Sequence, residues 1–198
     1  MSTDTCAAWN PSACEGTAGC PPRCPRFIDK HGRALLVEPA SDRHREGLRS
    51  MYADYPDAHR SMGLPPIHLE RIDAWIDALL ETGTNLVARD GTRVVGHAAY
   101  APNSSAEPEF VIFVDPDYHD GGVGSELCRH TIATAAKNGH EALTLDVDAA
   151  NERAVHVYRK LGFRIVKRSG GDLAMRLSFD EPIVDAVRMP PAERETPA

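Results

Sequence analysis

The chain has 198 residues, 26% of them charged, and a formal net charge of -7. That length supports one substantial core and is too short for two ordinary domains with a linker. The acidic balance, without any lysine- or arginine-rich run, sets nucleic acid aside as a partner, and apolar stretches no longer than a strand set a membrane span aside.

The opening stretch MSTDTCAAWN has neither the basic start nor the apolar core of a secretory signal, so a cytoplasmic protein is expected. Cys6, Cys14, Cys20 and Cys24 cluster in the first 24 residues, and only Cys128 lies elsewhere. Four thiolates are the right number for a structural zinc, but their spacing lacks C-x-x-C pairs, and a flexible Pro-containing arm is the alternative. Residues 1–32 are therefore read as a Cys-rich extension, disordered or metal-binding, and 180–198, ending MPPAERETPA, as a polar tail.

Between them, in residues 33–179, the pattern is dense. A short strand is expected at residues 35–37, and Asp42 then caps a helix bearing Leu48, Met51, Tyr52 and Tyr55 at helical spacing. After a Pro-rich loop, Leu69, Ile72, Trp75, Ile76, Leu79 and Leu80 mark a second amphipathic helix that stops near Gly83. NLVARD and RVVGHAAYA form a hairpin around Asp90-Gly91, and EFVIFVDP reads as a central strand buried on both faces. A helix over residues 122–138, the strand EALTLDVD, a helix opened by Asn151 and a final hairpin at Gly170-Gly171 complete seven strands and four helices. Cys128, inside a helical pattern, is a small core residue.

The stretch HDGGVGSEL, from His119 to Leu127, raises the question of why three glycines precede a helix. A triphosphate loop requires Lys followed by Ser or Thr after the last glycine, and Ser125-Glu126 stand there instead. A dinucleotide turn requires a third glycine where Leu127 stands, and would follow its strand without the spacer DPDYHD. There remains an anion site built from loop amides at a helix N-terminus, where unpaired N–H groups and the helix dipole favour negative charge.

With this motif the sequence resembles the GNAT superfamily of acyl-CoA-dependent N-acyltransferases. His119, Gly122 and Gly124 occupy the places of that family's cofactor motif, with His119 standing where Gln or Arg is usual. Asn151, Ala154, Tyr158 and Gly162-Phe163 follow as its second motif, and the resemblance covers about residues 33–179. It implies an α/β fold of α+β type, a mixed, largely antiparallel sheet of about seven strands flanked by four helices. It further implies an N-acetyltransferase in which a primary amine attacks acetyl-CoA directly in a ternary complex.

The resemblance distributes the work over named residues. Asp120, Gly121, Gly122, Val123, Gly124 and Ser125, with His119, would hold the pyrophosphate. The backbone of Ile112, Phe113 and Val114 would pair with the pantetheine arm, and a free N–H near Val114 would stabilise the oxyanion. Tyr158 would protonate the leaving thiolate, since a phenol of pKa about 10 keeps its proton at neutral pH. Glu109 is the candidate base, with Glu107 and Asp146 as alternatives, and Asn151 either contacts the cofactor or caps its helix. Asp54 and Asp57 hint at a cationic acceptor. The scattered histidines suggest no metal site. A non-catalytic acyl-CoA-binding regulatory module is the alternative function, and a homodimer the candidate assembly.

Overall fold

The structure is a computed structural model that describes residues 11–56 and 64–194. Its frame is one eight-stranded sheet in the order β1-β2-β3-β4-β5-β6-β8-β7. The strands are β1 (Arg26–Ile28), β2 (Ala34–Pro39), β3 (Thr84–Asp90), β4 (Arg93–Ala101), β5 (Glu109–Val114), β6 (Ala142–Asp148), β7 (Arg164–Ser169) and β8 (Asp172–Ser178). Among the described residues five helices flank it: α1 (Arg45–Ala53), α2 (Leu69–Thr82), α3 (Val123–Lys137), α4 (Glu152–Lys160) and α5 (Pro182–Arg188). All neighbouring strands are antiparallel except β5 and β6.

The helices sort onto two faces because each offers one apolar stripe. Leu48, Met51 and Tyr52 of α1 and Ile72 and Ile76 of α2 pack with Val87 and Val94 on one side. On the other, Val123, Leu127, Cys128 and Ile132 of α3, Val155 of α4 and Val184 and Val187 of α5 share a core with Phe110, Leu143, Leu145 and Met175. Local signals set most boundaries: Gly122 and Asn138 bracket α3, the Asn151 side chain accepts from Ala154 N–H at 3.1 Å to open α4, and Gly83 closes α2. Gly91 turns the β3–β4 hairpin at φ 55°. Among the described residues no helix is long and apolar enough to cross a membrane.

The sheet and helices exceed the expected seven and four by one each. Strand β1 has three residues, too few for a period to show, and exists because Arg26, Phe27 and Ile28 find Leu36, Leu35 and Ala34 opposite them. Helix α5 starts at Pro182 and buries Val184 and Val187, one turn apart, in a stretch whose prolines suggest a tail. The first helical segment is capped one residue earlier than expected, by Ser41 rather than Asp42: a short turn over Asp42–His44 precedes α1, with the Ser41 N–H bonded to His44 Nδ1 at 3.0 Å.

These additions join both chain ends to the sheet. Arg23 is buried, donates to both oxygens of Glu126 on α3 at 2.6 and 3.0 Å and to the Val187 carbonyl of α5 at 2.7 Å. Burial pushes the Glu126 carboxyl up, but the Arg23 hydrogen bond and charge outweigh it and hold the group below its usual range. Ala192 N–H donates to the Cys14 carbonyl at 3.1 Å. The residues read as an arm and a tail thus meet on α3.

Candidate active site

Strands β5 and β6 are parallel neighbours that pair at one position, Glu109 opposite Thr144. Beyond it they diverge, leaving a wedge. Asp115 N–H donates to the Val95 carbonyl at 3.0 Å, so along β5 the residues opposite β4 in hydrogen-bonding register are 115, 113, 111 and 109. The alternate residues, Ile112 and Val114, therefore turn their peptide groups into the wedge. Phe113 is different: its peptide faces His97 on β4, and its ring packs on the α1–α2 face. Of the three residues expected to pair with an extended ligand arm, two present backbone to the opening and the third presents it to the sheet.

The wide end of the wedge meets the glycine loop. A short turn over Pro116–Tyr118, held by Asp117 N–H bonded to the Asp115 carboxylate at 3.0 Å, makes the spacer after β5. Asp120 then takes φ 58°, and Gly122 takes φ 93° and ψ 0° as the residue before α3. Such left-handed backbone suits glycine, and it leaves the amides of Val123, Gly124 and Ser125 in the first turn of a 15-residue helix without intrahelical acceptors. A Cβ on Gly121 would lie 2.9 Å from Asp29 Oδ2. Wedge and loop together fit a ligand with an extended arm ending in a pyrophosphate.

His119 stands between them, and its Nε2 lies 2.9 Å from the Val114 carbonyl, one of the groups turned into the wedge. The imidazole donates to that oxygen. Its ring is thus tied to the strand.

Tyr158 on α4 lies on the wedge's α3 side, its ring 6.2 Å from Phe110 and 5.7 Å from Phe163. It is partly exposed. Burial first, then the electrostatic influence of Cys128 and Tyr55, pushes its pKa up, so the phenol stays protonated over the physiological range. Cys128 itself is buried and its thiol is pushed up to about 12, the behaviour of a core residue. Asn151 is exposed and caps α4, as described.

On the opposite face an aromatic group closes over β5. Tyr52 meets Trp75 at 5.0 Å and Phe113 at 5.6 Å, edge to face, and Tyr55 meets Phe113 at 6.0 Å. Tyr55 acts electrostatically on both Tyr52 and Tyr158, which lie on opposite faces of the sheet. Tyr55 was legible in the sequence only as an apolar helix position. Beneath it the Asn85 amide donates to the Leu79 and Gly83 carbonyls, which aims its oxygen at His97 Nε2, 3.0 Å away. His97 Nδ1 is left as acceptor for the Tyr52 hydroxyl at 2.5 Å. Burial lowers the His97 pKa to about 3, so this chain is neutral.

The carboxylates separate by partner. Glu109 is exposed at the closed end of the wedge, and alternation along β5 puts it on the same face as Phe113. Asp146 on β6 is exposed on that face as well, since Leu145 and Val147 fill the other. Glu107 instead forms a two-pronged pair with Arg176, both contacts 2.9 Å, and that arginine holds it below its usual range. Asp54 is exposed after α1. Asp57, His59 and Cys6 lie outside the described residues. Among those described, no three His, Cys, Asp or Glu side chains gather as a metal site, and Cys14, Cys20 and Cys24 form no disulfide.

Known proteins resemble this chain in sequence and in fold. The sequence model of the acetyltransferase (GNAT) family matches residues 46–163. A mycothiol acetyltransferase of Propionibacterium freudenreichii is 40% identical over 91 residues, which are 43% of this chain and 29% of that protein. An uncharacterized N-acetyltransferase of Mycobacterium tuberculosis is 30% identical over 113 residues, 51% of this chain and 72% of its own. The chain thus spans under a third of the first relative and most of the second. Among solved structures, the GNAT domain of S. lividans PAT is similar with a TM-score of 0.67 and 20% identity, covering 77% of this chain and 95% of that one. YncA of Salmonella typhimurium, solved with its cofactor acetyl-CoA, has a TM-score of 0.60 and 18% identity, covering 74% of this chain and 95% of its own. At such identities these structures establish the fold alone.

Proposed function

Since the chain belongs to the GNAT acetyltransferase family, we propose that it transfers an acetyl group from acetyl-CoA to a primary amine by direct attack in a ternary complex. The observation that carries this reading is the wedge. A sheet seam that pairs once and then presents the peptides of Ile112 and Val114 has room for one more extended chain, and the glycine loop at its wide end accepts a diphosphate.

Bound acetyl-CoA supplies the acetyl group on a thioester, an acyl donor that an unprotonated amine attacks without further activation. The residues of this chain do the rest. Amides of the loop over 120–125 hold the phosphates, and Ile112 and Val114 pair with the arm. The Ile112 N–H, nearer the closed end than that of Val114, is the donor available to a carbonyl lying there. Tyr158, protonated and beside Phe110 at that end, gives its proton to the departing sulfur. Glu109, with Asp146 on the same face, takes the proton from the amine directly or through water, whereas Glu107 is held by Arg176. Asn151 serves as a cap and borders the cofactor.

The acceptor approaches from the face of Tyr55, Trp75 and Phe113 and of the exposed carboxylates, which together suit a cationic amine on an apolar body. Cytoplasmic location belongs to the same reading and rests on sequence character, and a homodimer is the proposed assembly. Thiol release from acetyl-CoA, followed across amino acids, polyamines, aromatic amines and lysine peptides, tests it: at least one amine accelerates release well above hydrolysis. Tight acetyl-CoA binding with no acceleration by any amine favours a non-catalytic acyl-CoA-binding module instead.

A further inference from the structure

The turn between β1 and β2 lies outside the matched family region, yet it rests on the glycine loop. Lys30 N–H donates to the Gly121 carbonyl at 3.0 Å. A Cβ on Gly121 would lie 2.9 Å from Asp29 Oδ2, 3.2 Å from Arg33 Nη2 and 3.4 Å from the His31 ring. The glycine is required by the close approach of this turn, not by its own backbone angle.

The turn is built to be rigid. The Asp29 carboxylate accepts from His31 N–H at 2.9 Å, Arg33 N–H at 2.8 Å and Arg33 Nε at 2.7 Å, and it is completely buried. Arg33 lies 4.0 Å over the Tyr118 ring and donates to the Asp117 carbonyl at 3.2 Å, which fastens the turn to the spacer after β5. Its Nη2 is buried on the Gly121 side with no hydrogen-bond partner among the described residues.

Charge around the loop is then unevenly matched. Asp29 neutralises Arg33, and the exposed Asp120 faces Arg153 of α4 at 3.2 Å. Lys30 and His31 are exposed, and among the described residues neither has an ion-pair partner. Meanwhile His119, where this family's motif usually carries Arg or Gln, commits its Nε2 to Val114.

We infer that the β1–β2 turn is part of the cofactor site, with Lys30 supplying positive charge beside Gly121 and His31 a second donor, while His119 Nε2 is held by the Val114 carbonyl. The ligand is a pyrophosphate-bearing coenzyme, held between this turn and Arg153 across the amides of the loop. The inference rests on the proposed acetyl-CoA reading and adds to it a segment of the chain that lies before the shared domain.

The test is calorimetric titration of the full chain with acetyl-CoA at low and moderate salt. Lys30→Ala with His31→Ala is expected to weaken binding about tenfold at low salt and to make its salt dependence shallower. Lys30→Arg retains wild-type affinity, and Lys30→Glu loses more than Lys30→Ala. Lys137→Ala, about 20 Å away at the far end of α3, has no effect. If the wild-type chain binds acetyl-CoA and the double variant binds it equally well, the turn has no part in the site and the acetyltransferase reading stands. If the wild-type chain does not bind acetyl-CoA, that reading fails and this inference with it.

Discussion

Strand β6 has two neighbours and treats them differently: it pairs with β8 at seven successive positions and with β5 at one. On the β8 side its peptide groups are satisfied within the protein, and the seam holds buried Leu143, Leu145 and Met175 together. On the β5 side the divergence leaves peptide groups facing an opening, which a folded chain tolerates only where water or a ligand completes them. One seam is closed within the protein, and the other is open. The same division recurs among the polar side chains. Arg23 with Glu126, and Tyr52 with His97 and Asn85, close on themselves, whereas Tyr158 and Glu109 stand at the wedge with no hydrogen-bond partner found among the described residues.

Proline substitution breaks this comparison most directly, because proline deletes one N–H. The register places the Leu145 N–H toward β8, since Phe179 N–H donates to Glu141 in the same ladder at 2.9 Å. Leu145→Pro is expected to cost ~3 kcal/mol or more and to leave little folded protein by circular dichroism. Ile112→Pro removes a donor that faces the wedge: the chain still melts cooperatively, and calorimetry shows acetyl-CoA binding weakened. A folded Leu145→Pro would mean that the two seams are alike.

Acid sharpens the closed regions next. Burial lowers His97 to about 3 and His130 to about 4, from an unfolded value of 6.5. Between pH 6.5 and 4 the unfolded chain thus binds protons that the folded chain refuses, and stability falls as the pH drops. The slope reaches about 1.4 kcal/mol per pH unit for each imidazole. Below the usual carboxylate range the stability from Glu126, whose folded pKa is depressed, is lost as well. Melting temperatures recorded from pH 7 to 4 follow this course, and His130→Gln flattens part of it.

The open side is probed by smaller changes. Tyr158→Phe lowers turnover about tenfold or more and leaves acetyl-CoA affinity in place, as steady-state thiol release reports. Unchanged turnover would take the acid role from that phenol. Glu109→Gln slows turnover about fivefold with the loss largest at low pH, where the amine carries its proton. Glu107→Gln changes it less than about twofold, because that carboxylate serves an exposed ion pair with Arg176.

Much of this was legible before any coordinates. The hairpin at Gly91, the caps at Gly122 and Asn151 and the periodic faces of α1 and α2 rest on interactions within a few residues, so the sequence displays them. The spaced motifs around Gly122–Gly124 and Tyr158 likewise announced the family. Strand β1 and helix α5 left no such trace: three residues make no period, and a Pro-flanked turn with two buried valines resembles a tail until α3 is beside it. Nor did the pattern tell Phe113 from its neighbours, because which peptide faces the wedge depends on the parity of pairing with β4.

By itself the sequence determined the order of the elements, the glycine loop before α3 and the residue types available for acyl transfer, since propensity, capping and turn chemistry act along the chain. Only the tertiary structure decided where those residues stand and what they touch. It separated Glu109 from Glu107 by bringing Arg176 to the latter, turned His119 onto Val114, and set Lys30 and His31 against Gly121. Each of these contacts joins segments whose meeting depends on how strands pair and helices pack, and nothing within a few residues of Lys30 indicates that it will lie beside the loop ninety residues on.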